Sequence, residues 1–179
     1  EGHKAILSPC THMYYDFPEG KTPGEVKAAT WNSPISLEKT YSMPINDYSP
    51  TSTTLGVQGC FWSDQFIHGT LLQEIPYLNE NRSEKYAEYF TFPRLLALAE
   101  VAWKKESERN FEDFINRLSF HYERLDHKQC GYRIPEPLIK EITKLPTGQY
   151  EYILQPSVAN STICYTTNGE YPTPFSSRY

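Results

Sequence analysis

Apolar residues in this chain gather into a few short runs, separated by long polar and proline-rich stretches. Residues 4–7 (KAIL) and 55–61 (LGVQGCF) are too short for independent helices and read as strands. The first is closed by Ser8-Pro9. The second contains Gly56 and Gly59, which imply close backbone neighbours. Residues 14–17 (YYDF) read as a second extended piece or a strand-end loop, with Tyr14 and Tyr15 facing opposite ways. Elsewhere the spacing is helical. Residues 36–41 predict one or two turns with Ser36 as N-cap. Residues 84–90 follow Ser83, a second N-cap candidate. In the run TFPRLLALAEVAW, residues 91–103, Pro93 sits where a helix can start afresh, so the pattern predicts two helices or one kinked helix. Leu95, Leu98, Ala99 and Ala102 share one face of it. A further helix runs from Asn110, as cap, to about His127, with Phe111, Phe114, Ile115, Leu118 and Leu125 at helical intervals. Residues 18–34 and 42–54, rich in Pro, Gly, Ser and Thr, read as loops.

After Gly131 the texture changes. Tyr132 to Pro137 is an extended linker with two prolines, and from Tyr150 β-branched residues cluster and alternate. Asn168-Gly169 is a hairpin turn pattern. The boundary falls at 137/138: residues 1–137 form one unit and 138–179 a short all-β unit. The latter is near the lower size limit for a domain without staples, and a lone hairpin is marginal in water, so it reads as incomplete.

Composition narrows the function. Of 179 residues, 39% are hydrophobic and 15% aromatic, with 14 Tyr and 3 Trp. Aromatic wealth over modest aliphatic content fits a protein that handles carbohydrate or peptide surfaces, or a piece of a larger core. The net charge of -5 argues against a nucleic-acid partner. No apolar run is long enough to span a membrane, and the first residues do not form a signal peptide. The chain opens at the edge of a strand, which reads as a piece of something larger. Cys10, Cys60, Cys130 and Cys164 form no C-x-x-C pair and read as thiols. The five histidines fall at no ligand spacing. Glu100, a charge within LALAEVAW, reads as a structural partner for an arginine such as Arg94 or for a backbone amide.

Candidate chemistry lies at the end of the second strand. Trp62 and Asp64, at i and i+2 of an extended chain, point the same way. Sugars call for that combination: the C–H face of a pyranose packs on indole, while its hydroxyls need charged or amide partners. Each residue has a plainer reading. Trp62 and Tyr15 could be core aromatics, Asp16 a turn cap, and Asp64 an N-cap. Among the histidines, His12, near Cys10 and Tyr14, is the one that could lie near the site.

Five segments occur in one order: ILSPCTHMYYDF, WNSPISLEKTY, LGVQGCFWSD, EYFTFPRLLALAEVAW and GYRIPEP. Together they resemble the second half of the catalytic barrel of glycoside hydrolase family 20, the β-N-acetylhexosaminidases. The tail ICYTTNGEYPTPFSSRY resembles the small β-sandwich module that often follows it. The resemblance implies an α/β fold: the C-terminal portion, about the last two βα units, of a (β/α)8 TIM barrel, with sites at the C-terminal ends of its strands. It implies substrate-assisted hydrolysis, in which the substrate's own 2-acetamido oxygen is the nucleophile and an adjacent Asp-Glu pair supplies the acid. Carried over, Tyr14 holds the acetamido oxygen, Asp16 binds the hydroxyl on C6, Trp31 stands at the rim and Trp62 walls the acetamido methyl. Asp64 stands where the family usually has Glu, binding the hydroxyl on C4, and is one methylene shorter.

The sequence contains no Asp-Glu dipeptide and no H-x-G-x-D-E motif. The isolated chain is therefore expected to be an inactive part of a retaining enzyme that removes terminal N-acetylglucosamine or N-acetylgalactosamine. The alternative is a non-catalytic glycan-binding module. Expected partners are an N-acetylhexosamine-containing glycan and the remainder of the parent barrel, with self-association through unpaired strand edges. No cofactor or metal is implied. The expected location is periplasmic, secreted or cell-surface, ahead of lysosomal.

Overall fold

The computed structural model describes residues 3–20, 33–50, 52–62, 82–158 and 160–179. It divides into two compact units, Glu1–Arg133 and Ile134–Tyr179.

Among the described residues, the first unit is built on two strands, β1 (Ala5–Leu7) and β2 (Thr54–Val57). They pair in parallel, Ile6 with Gly56 and Leu7 with Val57. A parallel pair needs a long crossover. Its described residues include two short helices, α1 (Leu37–Tyr41) and α2 (Ile45–Tyr48). The predicted cap holds, since the Ser36 side chain accepts the Lys39 N–H at 3.1 Å. The α2 turn occupies a stretch predicted to be loop, starting just after Pro44. The apolar run through Phe61 is not all strand. Regular pairing ends at Val57, and a single parallel bridge between Tyr14 and Cys60 extends the ladder beyond it.

Three longer helices follow: α3 (Arg82–Thr91), α4 (Arg94–Trp103) and α5 (Phe111–His127). Ser83 lies inside α3 rather than capping it. Pro93 separates α3 from α4, as its missing N–H and the clash of its ring require in a helix interior. On α5 the Asn110 side chain accepts the Asp113 N–H at 3.0 Å. Acidic residues in its first turn and Arg124 and His127 in its last match the helix dipole.

The buried face of α4 is not the one its periodicity suggested. Arg94, Ala97 and Val101 are buried, whereas Leu95, Ala99 and Ala102 are exposed and Leu98 lies at the border. The reason is what surrounds the helix. It packs on α1 and β2, and Val101 joins Met13, Tyr15 and Met43 in the core, with Leu7, Val57 and Leu98 against them. Ile6, which alternation turns away from the core-facing Leu7, is 59% exposed, and Leu55, at the shift of register between Ala5 and Ile6, is 64% exposed. On α5, Phe114, Leu118, Tyr122 and Leu125 are buried.

The second unit contains β3 (Leu138–Lys144) and β4 (Tyr150–Gln155), an antiparallel pair, and β5 (Cys164–Tyr165) with β6 (Ser177–Arg178). Its tight hairpin turn is at Leu145–Gln149, where Gly148 has φ +83°. The Asn168-Gly169 step lies instead in the longer connection between β5 and β6. The Tyr179 hydroxyl accepts the Leu154 N–H at 3.1 Å, tying the chain end to β4.

Candidate functional site

The ends of β1 and β2 bring the candidate residues together. Both strands run the same way, so the segments that leave their C-terminal ends emerge on the same side. From β1 the chain turns through residues 8–13 and returns to the ladder at Tyr14. The Cys60 N–H donates to the Met13 carbonyl at 2.8 Å, and the Tyr15 N–H donates to the Cys60 carbonyl at 2.6 Å. These two bonds fix Tyr14 beside Cys60, two residues before Trp62. The Tyr14 and Trp62 rings consequently lie 6.3 Å apart, tilted by 48°. Trp62 is 54% exposed and Tyr14 half-buried, its ring 6.4 Å from that of Phe17. The two rings form an aromatic corner open to solvent.

Alternation assigns the neighbours to opposite sides, as expected of an extended pair. Tyr14 packs against Phe17 and Ile35. Tyr15, 1% exposed, enters the core with Met13, and burial raises its phenol pKa. Gly59 makes room for it: a Cβ there would stand 2.5 Å from Tyr15 Cε2 and 3.0 Å from Leu98 Cδ1. Gly56 has no such neighbour within 4 Å, so the close approach expected at both glycines is needed only at Gly59.

Asp16 is buried, 2% exposed, one residue beyond this corner's core side. Trp31 and Asp64 lie outside the described residues. His12 is engaged elsewhere: its Nδ1 lies 2.9 Å from the Thr11 hydroxyl and 3.3 Å from that of Tyr48 on α2. Burial, then the charge of Lys39, lowers its pKa. The Ser8 hydroxyl donates to the Gln58 carbonyl at 2.9 Å and lies 3.0 Å from Cys60 Sγ. None of the four cysteines is in a disulfide. Among the described residues no cluster of His, Cys, Asp and Glu is arranged to hold a metal ion. No helix among them is long and apolar enough to cross a membrane.

Glu100 pairs with an arginine, as predicted, but with Arg117 rather than Arg94. Its carboxylate takes two bonds from Arg117 Nη2 at 2.9 and 2.7 Å and one from the Tyr41 hydroxyl at 2.8 Å. Burial alone would raise its pKa, but these hydrogen bonds outweigh it and hold the group below the usual range. Arg94 is engaged elsewhere: its guanidinium donates to backbone carbonyls and pairs with Glu19. This was the feature sequence reasoning missed. The available sign was an arginine placed directly after proline in an otherwise apolar run.

A groove of about 420 Å3 lies between α4 and α5, lined by residues including Leu96, Ala99, Trp103, Phe114, Arg117 and His121. It shares no residue with the aromatic corner.

The glycosyl hydrolase family 20 catalytic domain matches residues 1–106. A beta-hexosaminidase of Porphyromonas gingivalis is 28% identical over 155 residues, which cover 84% of this chain and 17% of that protein. Among solved structures, an inactive mutant of a family 20 exo-beta-N-acetylglucosaminidase from Vibrio harveyi is 26% identical. It superposes with a TM-score of 0.56 over 72% of this chain and 18% of that one. A mutant Streptomyces plicatus beta-hexosaminidase in complex with the product GlcNAc has a TM-score of 0.58 at 18% identity, over 74% of this chain and 24% of that one, and speaks to the fold alone. The chain thus spans 17% to 24% of the length of these relatives.

Proposed function

The chain belongs to glycosyl hydrolase family 20 and has an α/β fold derived from a TIM barrel; on that footing we propose that it is the C-terminal part of the catalytic barrel of a retaining β-N-acetylhexosaminidase. Residues 1–137 supply about the last two βα units, and residues 138–179 begin a β-sandwich module. The substrate is a glycan ending in N-acetylglucosamine or N-acetylgalactosamine, met in the periplasm, outside the cell or on its surface.

One observation carries this reading: two aromatic side chains side by side, just past the C-terminal ends of two adjacent parallel strands. That is where barrel enzymes place their sites, because the loops there are free to vary while the strands hold them in register. The corner suits an N-acetylated sugar. The indole of Trp62 offers an apolar wall, and the Tyr14 hydroxyl can donate to an acetamido carbonyl oxygen. Fixing that oxygen near the anomeric carbon favours its attack by proximity. Asp16, Trp31 and Asp64 are assigned to hydroxyl binding and the rim by family likeness. The exposed Ile6, turned away from the core-facing Leu7, supports a missing partner: a closed barrel fills its interior with layers of such side chains from all its strands. The remainder of the parent barrel is therefore the first partner of this chain, and self-association through the open strand edges is what the isolated chain would do instead.

The sequence has no Asp-Glu pair to protonate the leaving oxygen. The isolated chain should not turn over a chromogenic N-acetylglucosaminide, whereas a full-length enzyme carrying it should, with retention at the anomeric carbon. Turnover by the chain alone that is lost in Tyr14→Phe would overturn the proposal. Calorimetric binding of N-acetylglucosamine oligomers by the chain, with an inert full-length protein, would favour the glycan-binding module instead.

A further inference from the structure

Arg94, the first residue of α4, is fully buried at 0% exposure. A guanidinium removed from water is costly unless its donors find acceptors. Here they find backbone. Nη1 donates to the Phe17 carbonyl at 2.9 Å and the Ile35 carbonyl at 3.0 Å, and Nη2 donates to the Tyr15 carbonyl at 2.9 Å. Nε donates to the Phe90 carbonyl, one turn back, at 3.1 Å. Glu19 Oε1 lies 3.4 Å from Nε, and the Tyr15 ring stacks under the guanidinium with 5.1 Å to its centroid.

The gripped carbonyls have a pattern. Tyr15 and Phe17 are the residues on either side of Asp16, and Tyr15 directly follows Tyr14. The same segment is pinned from its other side by the two backbone bonds to Cys60. Tyr14 is thus held between a fixed ladder position and a planar fork anchored in a helix. Ile35, third of the gripped residues, is also half of the bed on which the Tyr14 ring rests. One side chain therefore sets both the backbone after Tyr14 and the surface beneath its ring.

We propose that Arg94 is a positioning residue for the hydrolase site, acting through Tyr14. This rests on the functional reading above. A guanidinium is suited to the task because its donors lie in one rigid plane, whereas the lysine ammonium is a point charge on a flexible stem. Arg94→Lys keeps the charge and loses the fork, leaving the Tyr14 segment free to shift. Shifts near 1 Å in reacting geometry cost about 100-fold in rate.

The test uses a full-length enzyme carrying this chain, with Arg94→Lys, Tyr14→Phe and the double variant assayed on a chromogenic N-acetylglucosaminide. Arg94→Lys should lower kcat about 10- to 100-fold with KM within about threefold, because the loss concerns geometry at the reacting atoms. In the Tyr14→Phe background the same change should have almost no further effect, because the group it positions is already gone. A merely structural role would give equal factors in both backgrounds. Equal factors, or a kcat unchanged by Arg94→Lys, overturn the proposal. If Arg94→Lys does not yield folded protein, Glu19→Gln, which weakens the ion pair at Arg94 Nε together with the 4.0 Å one to Arg133, takes its place. It should give a smaller kcat loss that likewise vanishes in Tyr14→Phe, and an additive loss refutes the role. An active wild type with a crippled Tyr14→Phe and an unaffected Arg94→Lys removes Arg94 alone. An inert wild-type enzyme removes the hydrolase reading and this inference with it.

Discussion

Replacing Gly59 by alanine should destabilise the first unit through one carbon atom. The added Cβ would meet Tyr15 Cε2 at 2.5 Å, Tyr15 Cζ at 3.1 Å and Leu98 Cδ1 at 3.0 Å. Carbon atoms rest at about 3.5–4.0 Å, so the Tyr15 ring would have to retreat by about 1 Å. It has nowhere easy to go. The ring is 1% exposed, its hydroxyl reaches Met13 Sδ at 3.7 Å and the Arg94 carbonyl at 3.5 Å, and the Arg94 guanidinium covers one face. Overpacking of this kind costs about 1–3 kcal/mol. Gly56, three residues earlier, is an internal control. A Cβ there meets nothing within 4 Å, and its φ is outside the left-handed region. Gly56→Ala should be neutral or stabilise by about 0.4–1 kcal/mol, chiefly by restricting the unfolded chain. Urea titrations of both variants, followed by tryptophan fluorescence, measure the difference. Equal midpoints for the two would refute the claim that Gly59 is required by the Tyr15 ring.

Acidification should destabilise the chain in two stages. Burial, then Lys39, lowers the His12 pKa from 6.5, so the stability held by its neutral form is complete above 6.5 and is lost as pH falls through the lowered value. Glu88 and Glu100 are both pushed up by burial but drawn down further by hydrogen bonds, from Gly131 and Lys85 and from Arg117 and Tyr41, so their share is complete above 4.5 and lost below it. A urea midpoint that stays constant between pH 7.5 and pH 3.5 would contradict this. Tyr122→Phe should cost nothing, or stabilise by up to about 1 kcal/mol, because the Tyr122 hydroxyl is buried with no hydrogen-bond partner among the described residues. A clear drop in Tm would show that a partner exists. Gly148→Ala forces a side chain into φ +83° and should weaken the β3–β4 hairpin by about 1–2 kcal/mol. Hydrogen exchange at the Ile142 and Tyr152 amides should quicken, and unchanged protection would argue against strain at this turn.

The sequence by itself determined most of the local elements and the residue types offered at the candidate site. Ser36 and Asn110 cap their helices because a short oxygen-bearing side chain satisfies a first-turn N–H wherever it occurs. Pro93 breaks the helical run because its ring cannot be accommodated inside one. Tyr14 and Tyr15 part ways because extended backbone alternates. Such rules act over a few residues, and the chain states them directly. Tertiary structure decided which of several apolar faces is buried and where the charges go. Leu95, Ala99 and Ala102 read as a core stripe, yet α4 turns Arg94, Ala97 and Val101 inward. Hydropathy ranks Arg94 as a surface residue. What overrides that ranking is a set of carbonyls at Tyr15, Phe17 and Ile35, which are 59 to 79 positions away along the chain. Glu100 likewise found Arg117 on the next helix rather than an arginine on its own. A residue's transfer cost is intrinsic, but its compensation comes from whatever the fold places beside it, and no local pattern carries that information.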